Sequence, residues 1–238
     1  LWLEGDPNVK GSFATWSVDT LAYINNSLHQ SFVVISNCID NLQPATYDFS
    51  IFSQVAADKE VLFILDDSHG LGILNKNAIS TDLSLLQAKG NLEFLVVCSL
   101  AKGLGTDAGL VLGTHKSLEK VKKQPIFTGA SPCSPAAMYA LIYGDAVYER
   151  SFAQLQHNIR YFKDLLLGDK GLISVDKFPI FTAADADLYS YLCAKQILIS
   201  SFPYPLASSS LLNRIVISAG HSDLDLNKLA QIYLGKKK

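Results

Sequence analysis

Short apolar runs recur along the first half of the chain and alternate with amphipathic or polar stretches. The runs cover residues 32–36, 61–65, 94–98 and 108–112. Short, wholly apolar strands separated by helical stretches are typical of a parallel sheet covered on both faces. Helical spacing of apolar residues predicts a helix over residues 16–24, begun by a cap at Ser12, and further helices near residues 47–55 and 79–88.

The second half of the chain has a different pattern. A long helix is predicted from Pro135 to just before Gly168, with a break near Gly144, and residues 124–132 are predicted to form an irregular loop. Strands are then expected at residues 172–175, 180–181, 197–202 and 214–218, and helices at 185–195 and 223–234. This α+β pattern predicts a second, smaller domain, so we divide the chain into residues 1–148 and 149–238.

Composition excludes several classes of protein. The chain has 238 residues, of which 49% are hydrophobic and 18% charged, as in ordinary globular proteins. Its formal net charge of −2 does not predict a broad basic surface, so we expect no nucleic-acid partner. No apolar run approaches the roughly 20 residues that span a bilayer, so no membrane partner is expected. The start lacks the pattern of a signal peptide, and the last three lysines are predicted to form a solvated tail.

The cysteines indicate the compartment. Cys38, Cys98, Cys133 and Cys193 lie far apart and in no pattern with histidine that would hold a metal. We therefore predict reduced thiols in a cytoplasmic protein, without a metal site.

Two predicted strand ends carry reactive side chains. Asp66 and Asp67 follow the run 61–65 and lead into a turn with His69, while Lys102 follows the run 94–98 in a turn of small residues. Ligand sites in parallel sheets gather at the carboxyl ends of strands. A lysine amine in such a place is suited to covalent catalysis, although a surface lysine in a glycine-rich turn would have the same sequence.

The chain resembles a known family in four stretches: residues 66–72, 99–105, 125–132 and 213–221. In this order they resemble the pyridoxal-phosphate-dependent enzymes of aminotransferase fold type I. Within that superfamily the chain is most similar to the α-oxoamine synthases, such as 8-amino-7-oxononanoate synthase and 2-amino-3-ketobutyrate CoA ligase. The resemblance implies an α/β fold: a mostly parallel sheet sandwiched by helices, as the incomplete cofactor-binding large domain (residues 1–148), and a small C-terminal α+β domain.

The resemblance also implies the cofactor, pyridoxal 5'-phosphate, and the residues that hold it. Lys102 matches the catalytic lysine that forms the internal aldimine with the cofactor aldehyde. Asp66 matches the acid that keeps the pyridine nitrogen protonated, and His69 matches the histidine that contacts the 3-hydroxyl group. Ser99 matches a hydroxyl that binds the phosphate. From the residues alone, the simpler alternative for Asp66 and for Ser99 is a side chain that caps a turn.

Two further matches extend the implied site. Thr128 resembles a hydroxyl supplied to the phosphate of the neighbouring subunit's cofactor, which implies a homodimer with a shared active site. Arg214 matches the arginine that binds the substrate carboxylate in a bidentate pair. The simpler alternatives are a capping threonine and a surface arginine on an edge strand. Residues 200–205 are expected to line the substrate entrance, while Asp67 and His221 are predicted to be structural.

The implied activity is that of a transferase: decarboxylating condensation of an amino acid with an acyl-CoA. An aminotransferase or lyase of the same fold is an alternative, and so is a non-catalytic binding or dimerisation protein. The chain departs from the family pattern at residues 74–78, which lack a glycine- and arginine-rich run, and at 106–109, which replace paired glycines. The family's N-terminal phosphate-binding loop has no counterpart in the sequence, so we expect the chain to be the C-terminal part of such an enzyme.

Overall fold

A computed structural model describes residues 1–2 and 11–236. Two compact units are present: unit 1 comprises residues 1–39 and 46–145, and unit 2 comprises residues 40–45 and 146–238. Two of the three lysines predicted to form a solvated tail lie outside the described residues. The assignment of residues 1–148 and 149–238 to a cofactor domain and a small domain stays a prediction.

Unit 1 contains the four strands predicted in the first half of the chain. Its elements, in chain order, are α1 (Phe13–Asn26), β1 (Ser31–Asn37), β2 (Ile39–Asp40) and β3 (Ala45–Thr46), each of which has one residue in unit 2, a 3₁₀ helix (Ser50–Gln54), β4 (Glu60–Asp66), α2 (Ser84–Gln87), β5 (Leu92–Ser99), α3 (Leu100–Gly103), β6 (Gly109–Gly113), α4 (His115–Lys122), α5 (Pro125–Gly129) and α6 (Pro135–Tyr143). The main sheet has the order β1-β4-β5-β6. Strands β1, β4 and β5 are parallel, whereas β6 runs antiparallel to β5. The predicted, mostly parallel sheet is therefore confirmed, with a reversed strand at one edge.

One face of this sheet packs on an aromatic core. Phe63 of β4 and Phe52 of the 3₁₀ helix are both 0% exposed, and their ring centroids lie 5.2 Å apart. Helix α1 covers the same core and begins at Ser12, whose hydroxyl accepts the N–H of Thr15 at 3.2 Å, as predicted from the cap. The alternate residues of β4, on the opposite face, are only half-buried.

Two predicted helices and one predicted loop differ from the structure. Only residues Ser84–Gln87 of the predicted helix 79–88 are helical, and residues 47–55 contain a short 3₁₀ helix instead of an α-helix. The irregular loop predicted for residues 124–132 was wrong in part, because it contains α5. Pro125 occupies the first turn of α5, where its missing N–H costs nothing, and the N–H of Thr128 donates to the carbonyl of Gln124 at 3.0 Å.

Unit 2 follows the predicted α+β pattern. Its elements are α7 (Asp145–Leu165), β7 (Leu172–Ile173), β8 (Ile180–Ala183), α8 (Leu188–Cys193), β9 (Ser200–Pro203), β10 (Leu211–Val216) and α9 (Asp223–Gly235). The four strands form an antiparallel sheet in the order β7-β8-β10-β9. The predicted break in the long helix is confirmed, because α6 ends at Tyr143 and α7 begins at Asp145.

The described residues form neither a membrane-spanning helix nor a cluster of metal-ligating side chains. None of the helices among them is both long and apolar enough to cross a bilayer. Nor do those residues bring together three histidine, cysteine or acidic side chains in a way that could hold a metal ion.

The four cysteines are free thiols in different environments, and this gives a testable order of reactivity. Burial raises the pKa of Cys98 to about 11, and burial raises that of Cys38 as well. At pH 8 we expect iodoacetamide to label the exposed Cys193 first and Cys98 about 10²-fold more slowly, because only the thiolate reacts. A time course of peptide masses measures the order. Equal rates are expected in denatured protein, and equal rates in native protein would contradict the prediction.

Candidate functional site

The two strand ends singled out in the sequence lie side by side in unit 1. Strands β4 and β5 are adjacent and parallel, with Asp66 paired to Val97, so both end at the same edge of the sheet. The turn after β4 carries His69, and the short helix α3 after β5 carries Lys102. Topology therefore brings together the two stretches that the sequence predicted to form one site.

Lys102 and His69 are in direct contact. The Lys102 amine lies 3.0 Å from Nε2 of His69, and Lys102 is exposed whereas His69 is half-buried. When the lysine is protonated its ammonium group donates to Nε2, which places the imidazole proton on Nδ1.

Hydrogen bonds and a close backbone approach hold the two loops together. The backbone N–H of Ser99 donates to the hydroxyl oxygen of Ser68 at 2.8 Å. At Gly103 a Cβ atom would lie 2.9 Å from the carbonyl oxygen of Leu71, so only glycine allows this approach. Sequence reasoning did not identify Ser68, because a serine inside a turn gives no signal of a partner 31 residues away.

Asp66 has one oxygen engaged in its own turn. Its Oδ1 accepts the N–H of Ser68 at 2.8 Å, and the side chain is half-buried at the last position of β4. This is the capping role that the residues alone suggested. This hydrogen bond uses one carboxylate oxygen of Asp66, and the second oxygen can accept another hydrogen bond.

The two predicted phosphate-binding hydroxyls have different settings. Ser99 is the last residue of β5 and is half-buried beside the start of α3. Thr128 lies exposed on α5, where its hydroxyl donates to the carbonyl of Pro125 at 3.2 Å. The described bonds of Thr128 are thus internal to its helix.

Arg214 lies in unit 2, on a strand with neighbours on both sides. Strand β10 pairs with both β8 and β9, so the alternative of an edge-strand arginine was wrong. Its Nη1 donates to the carbonyl of Asn41 at 2.8 Å, and its Cζ lies 4.7 Å from the ring centroid of Phe202. Burial lowers the pKa of the guanidinium, and its buried Nε has no hydrogen-bond partner among the described residues.

A cavity of about 420 Å³ lies elsewhere in unit 1. It is lined mainly by apolar side chains of β5, of β6 and of the segment just before α2, including Leu83, Phe94 and Leu112. None of the predicted site residues lines it, so it is separate from the candidate site.

Solved structures identify the fold. A structure of SPT with PLP matches with a TM-score of 0.72 and 16% identity, over 92% of this chain and 58% of that one. Serine palmitoyltransferase of Sphingomonas wittichii matches with a TM-score of 0.66 and 16% identity (85% and 54% covered). 8-Amino-7-oxononanoate synthase of Francisella tularensis matches with a TM-score of 0.64 and 18% identity (93% and 80% covered). The chain has the α/β fold of these proteins, as its sequence resemblance predicted.

The relatives found by sequence have names of the same kind as these solved structures. The 8-amino-7-oxononanoate synthase of Thiobacillus denitrificans is 23% identical over 213 residues, which are 84% of this chain and 54% of that protein. A putative 8-amino-7-oxononanoate synthase of Methanococcus aeolicus is 22% identical over 216 residues (87% and 56% covered). The chain therefore spans just over half the length of these relatives, and no family model matches it. The predicted resemblance to α-oxoamine synthases is confirmed.

Proposed function

We propose that this protein is a pyridoxal-phosphate-dependent transferase that condenses an amino acid with an acyl-CoA and releases carbon dioxide. The observation that carries this proposal is the 3.0 Å contact between the Lys102 amine and His69, beside Asp66 at the neighbouring strand end. The names of the sequence relatives favour condensation over the aminotransferase alternative.

The chemistry of these side chains fits pyridoxal phosphate. Lys102 offers the primary amine that would hold the aldehyde, Asp66 a carboxylate for the pyridine nitrogen, and Ser99 a hydroxyl for the phosphate. When bound, the cofactor supplies an electron sink for bond breaking at the α carbon of an amino acid. His69 would orient the ring by a hydrogen bond to its 3-hydroxyl. The Lys102 amine, once displaced by the substrate, would move the proton at the α carbon.

Arg214 would bind the substrate carboxylate. The guanidinium lies over the ring of Phe202, and its buried Nε is a donor that a carboxylate could satisfy. A bidentate contact of this kind would orient the amino acid. The contact would be stronger where water is excluded.

The proposal extends to assembly and compartment. We assign Thr128 to the phosphate of the neighbouring subunit's cofactor, in a homodimer with a shared active site. The similarity of residues 125–132 to the family supports this assignment. The free thiols support a cytoplasmic location, because reducing conditions keep cysteines unpaired.

Borohydride reduction tests the function. The protein in its full natural length, which includes residues 1–238, is incubated with pyridoxal phosphate, reduced and digested for peptide mass mapping. A phosphopyridoxyl group on Lys102 is expected. An unmodified Lys102 in folded, cofactor-treated protein would leave the non-catalytic alternative. Release of free CoA from glycine or alanine plus an acyl-CoA would support condensation, whereas conversion to the pyridoxamine form would support transamination.

Replacing Arg214 by alanine is expected to raise the KM for the amino acid about 10²-fold, because hydrogen bonds to a charged group are lost. Arg214→Lys should give an intermediate KM, since it keeps the charge without the forked donors. Steady-state release of CoA measures both effects. Arg160, an exposed arginine of α7, supplies the control Arg160→Ala. A wild-type KM in Arg214→Ala would exclude Arg214 from substrate binding.

A further inference from the structure

We propose that Asp67 and Ser80 are positioning residues for His69. They form a clamp that holds the turn after β4 so that the imidazole faces Lys102. The inference deepens the proposed function and rests on it, because in that proposal His69 and Lys102 contact the cofactor. Sequence reasoning treated Asp67 as structural and did not single out Ser80.

The clamp joins two residues that lie in different segments of the chain. Oδ2 of Asp67 accepts the backbone N–H of Ser80 at 2.8 Å, and Oδ1 accepts the hydroxyl of the same serine. Both carboxylate oxygens are thereby committed to one residue 13 positions away. Ser80 precedes α2, so the clamp ties the turn to a separate segment of unit 1.

The backbone of Asp67 fixes both ends of the turn that presents His69. Its N–H donates to the carbonyl of Val97 at 2.9 Å, which extends the ladder between β4 and β5 by one residue. Its carbonyl accepts the N–H groups of Gly70 and Leu71, each at 3.1 Å. His69 lies between these anchored positions, so a shift of Asp67 would move the imidazole.

The turn also packs directly on the clamp. A Cβ atom at Gly70 would lie 2.3 Å from Oδ1 of Asp67 and 2.3 Å from Cβ of Ser80. The residue next to His69 is therefore in contact with the clamp, without space for a side chain. A change in the clamp is transmitted to His69 through this contact.

Burial of Asp67 needs a reason beyond turn formation. Its side chain is 0% exposed, and burial raises the pKa of its carboxyl group, which opposes the charged form. Elsewhere this chain makes local turns with exposed aspartates, such as Asp82, which accepts the N–H of Ser84 at 2.9 Å. An exposed aspartate suffices for a local turn, whereas holding a fixed orientation calls for buried, fully bonded groups.

Nuclear magnetic resonance of the cofactor-free protein tests the clamp. The ¹⁵N signals of the His69 ring are assigned by comparison with His69→Gln, and they are measured in Asp67→Ala, Ser80→Ala and Asp67→Asn. We expect the first two variants to move the Nε2 signal towards that of a free imidazole. Asp67→Asn should restore the wild-type signal, because the amide can accept the N–H of Ser80 and donate to its hydroxyl. Asp82→Ala is the matched control and should leave the signal unchanged.

A second readout links the clamp to the proposed site. Borohydride labelling of Lys102 by pyridoxal phosphate should become roughly threefold to tenfold slower in Ser80→Ala, as expected for the loss of one hydrogen bond. Absence of labelling in the wild type would refute the proposed function, whereas the ring signals of the cofactor-free protein test the clamp separately.

The clamp hypothesis has a clear contrary outcome. If Asp67→Ala and Ser80→Ala lower the unfolding midpoint while the His69 signal stays at its wild-type position, the pair is only structural. Should Asp67→Ala fail to fold, Ser80→Ala decides by the same signal, since it keeps the bond from the Ser80 N–H to Oδ2.

Discussion

Lys102→Ala is expected to abolish borohydride-stable attachment of pyridoxal phosphate and to lower kcat by about 10³-fold. The variant lacks the amine that would hold the cofactor aldehyde, and it lacks the group that would move the substrate proton. Because Lys102 is exposed at the end of a short helix, the fold should be unaffected. Peptide mass mapping and steady-state release of CoA measure the two losses.

Two further variants make the Lys102 experiment specific. Lys102→Arg keeps the positive charge near His69, but a guanidinium stays protonated and should not attach the cofactor. Lys123→Ala removes an exposed lysine at the end of α4 and should behave as the wild type. Retained attachment in both Lys102 variants, at some other lysine, would show that the proposed site is wrong.

Phe63→Ala is expected to lower the free energy of unfolding by about 3–5 kcal/mol, because it opens a cavity in a closely packed core. Phe63 is 0% exposed, and its ring stacks on Phe94 at 5.1 Å and contacts Phe52 edge-on at 5.2 Å. It also lies on β4, the strand that ends at Asp66. Urea unfolding followed by circular dichroism measures the change.

The matched control for Phe63 is a phenylalanine on the surface. Phe127 of α5 is 52% exposed, so Phe127→Ala should change the free energy of unfolding by less than about 0.5 kcal/mol. Equal effects of the two substitutions would contradict the assignment of Phe63 to the core.

Much of the fold could be predicted because its signals are local. A strand buried among neighbours needs a continuous apolar run, and residues 61–65 and 94–98 form strands as expected. A hydroxyl at the cap position favours a helix start, and Ser12 begins α1. The two loops that carry His69 and Lys102 were expected at one edge of the sheet, since parallel strands place their carboxyl ends together.

Other features depend on contacts that no local pattern encodes. The apolar run of β6 gives no sign that the strand is antiparallel, because direction depends on which strand it meets and how. The Asp67–Ser80 clamp joins positions 13 residues apart through an irregular loop, and the bond from Arg214 to the Asn41 carbonyl joins positions 173 residues apart.

The residues of this chain thus determine where its strands and helices form and which side chains stand at the strand ends, because burial and capping act over a few neighbouring positions. Only the folded arrangement decides how those side chains are oriented. His69 faces Lys102, and Arg214 lies on Phe202, through hydrogen bonds and close packing between segments that are distant in the sequence.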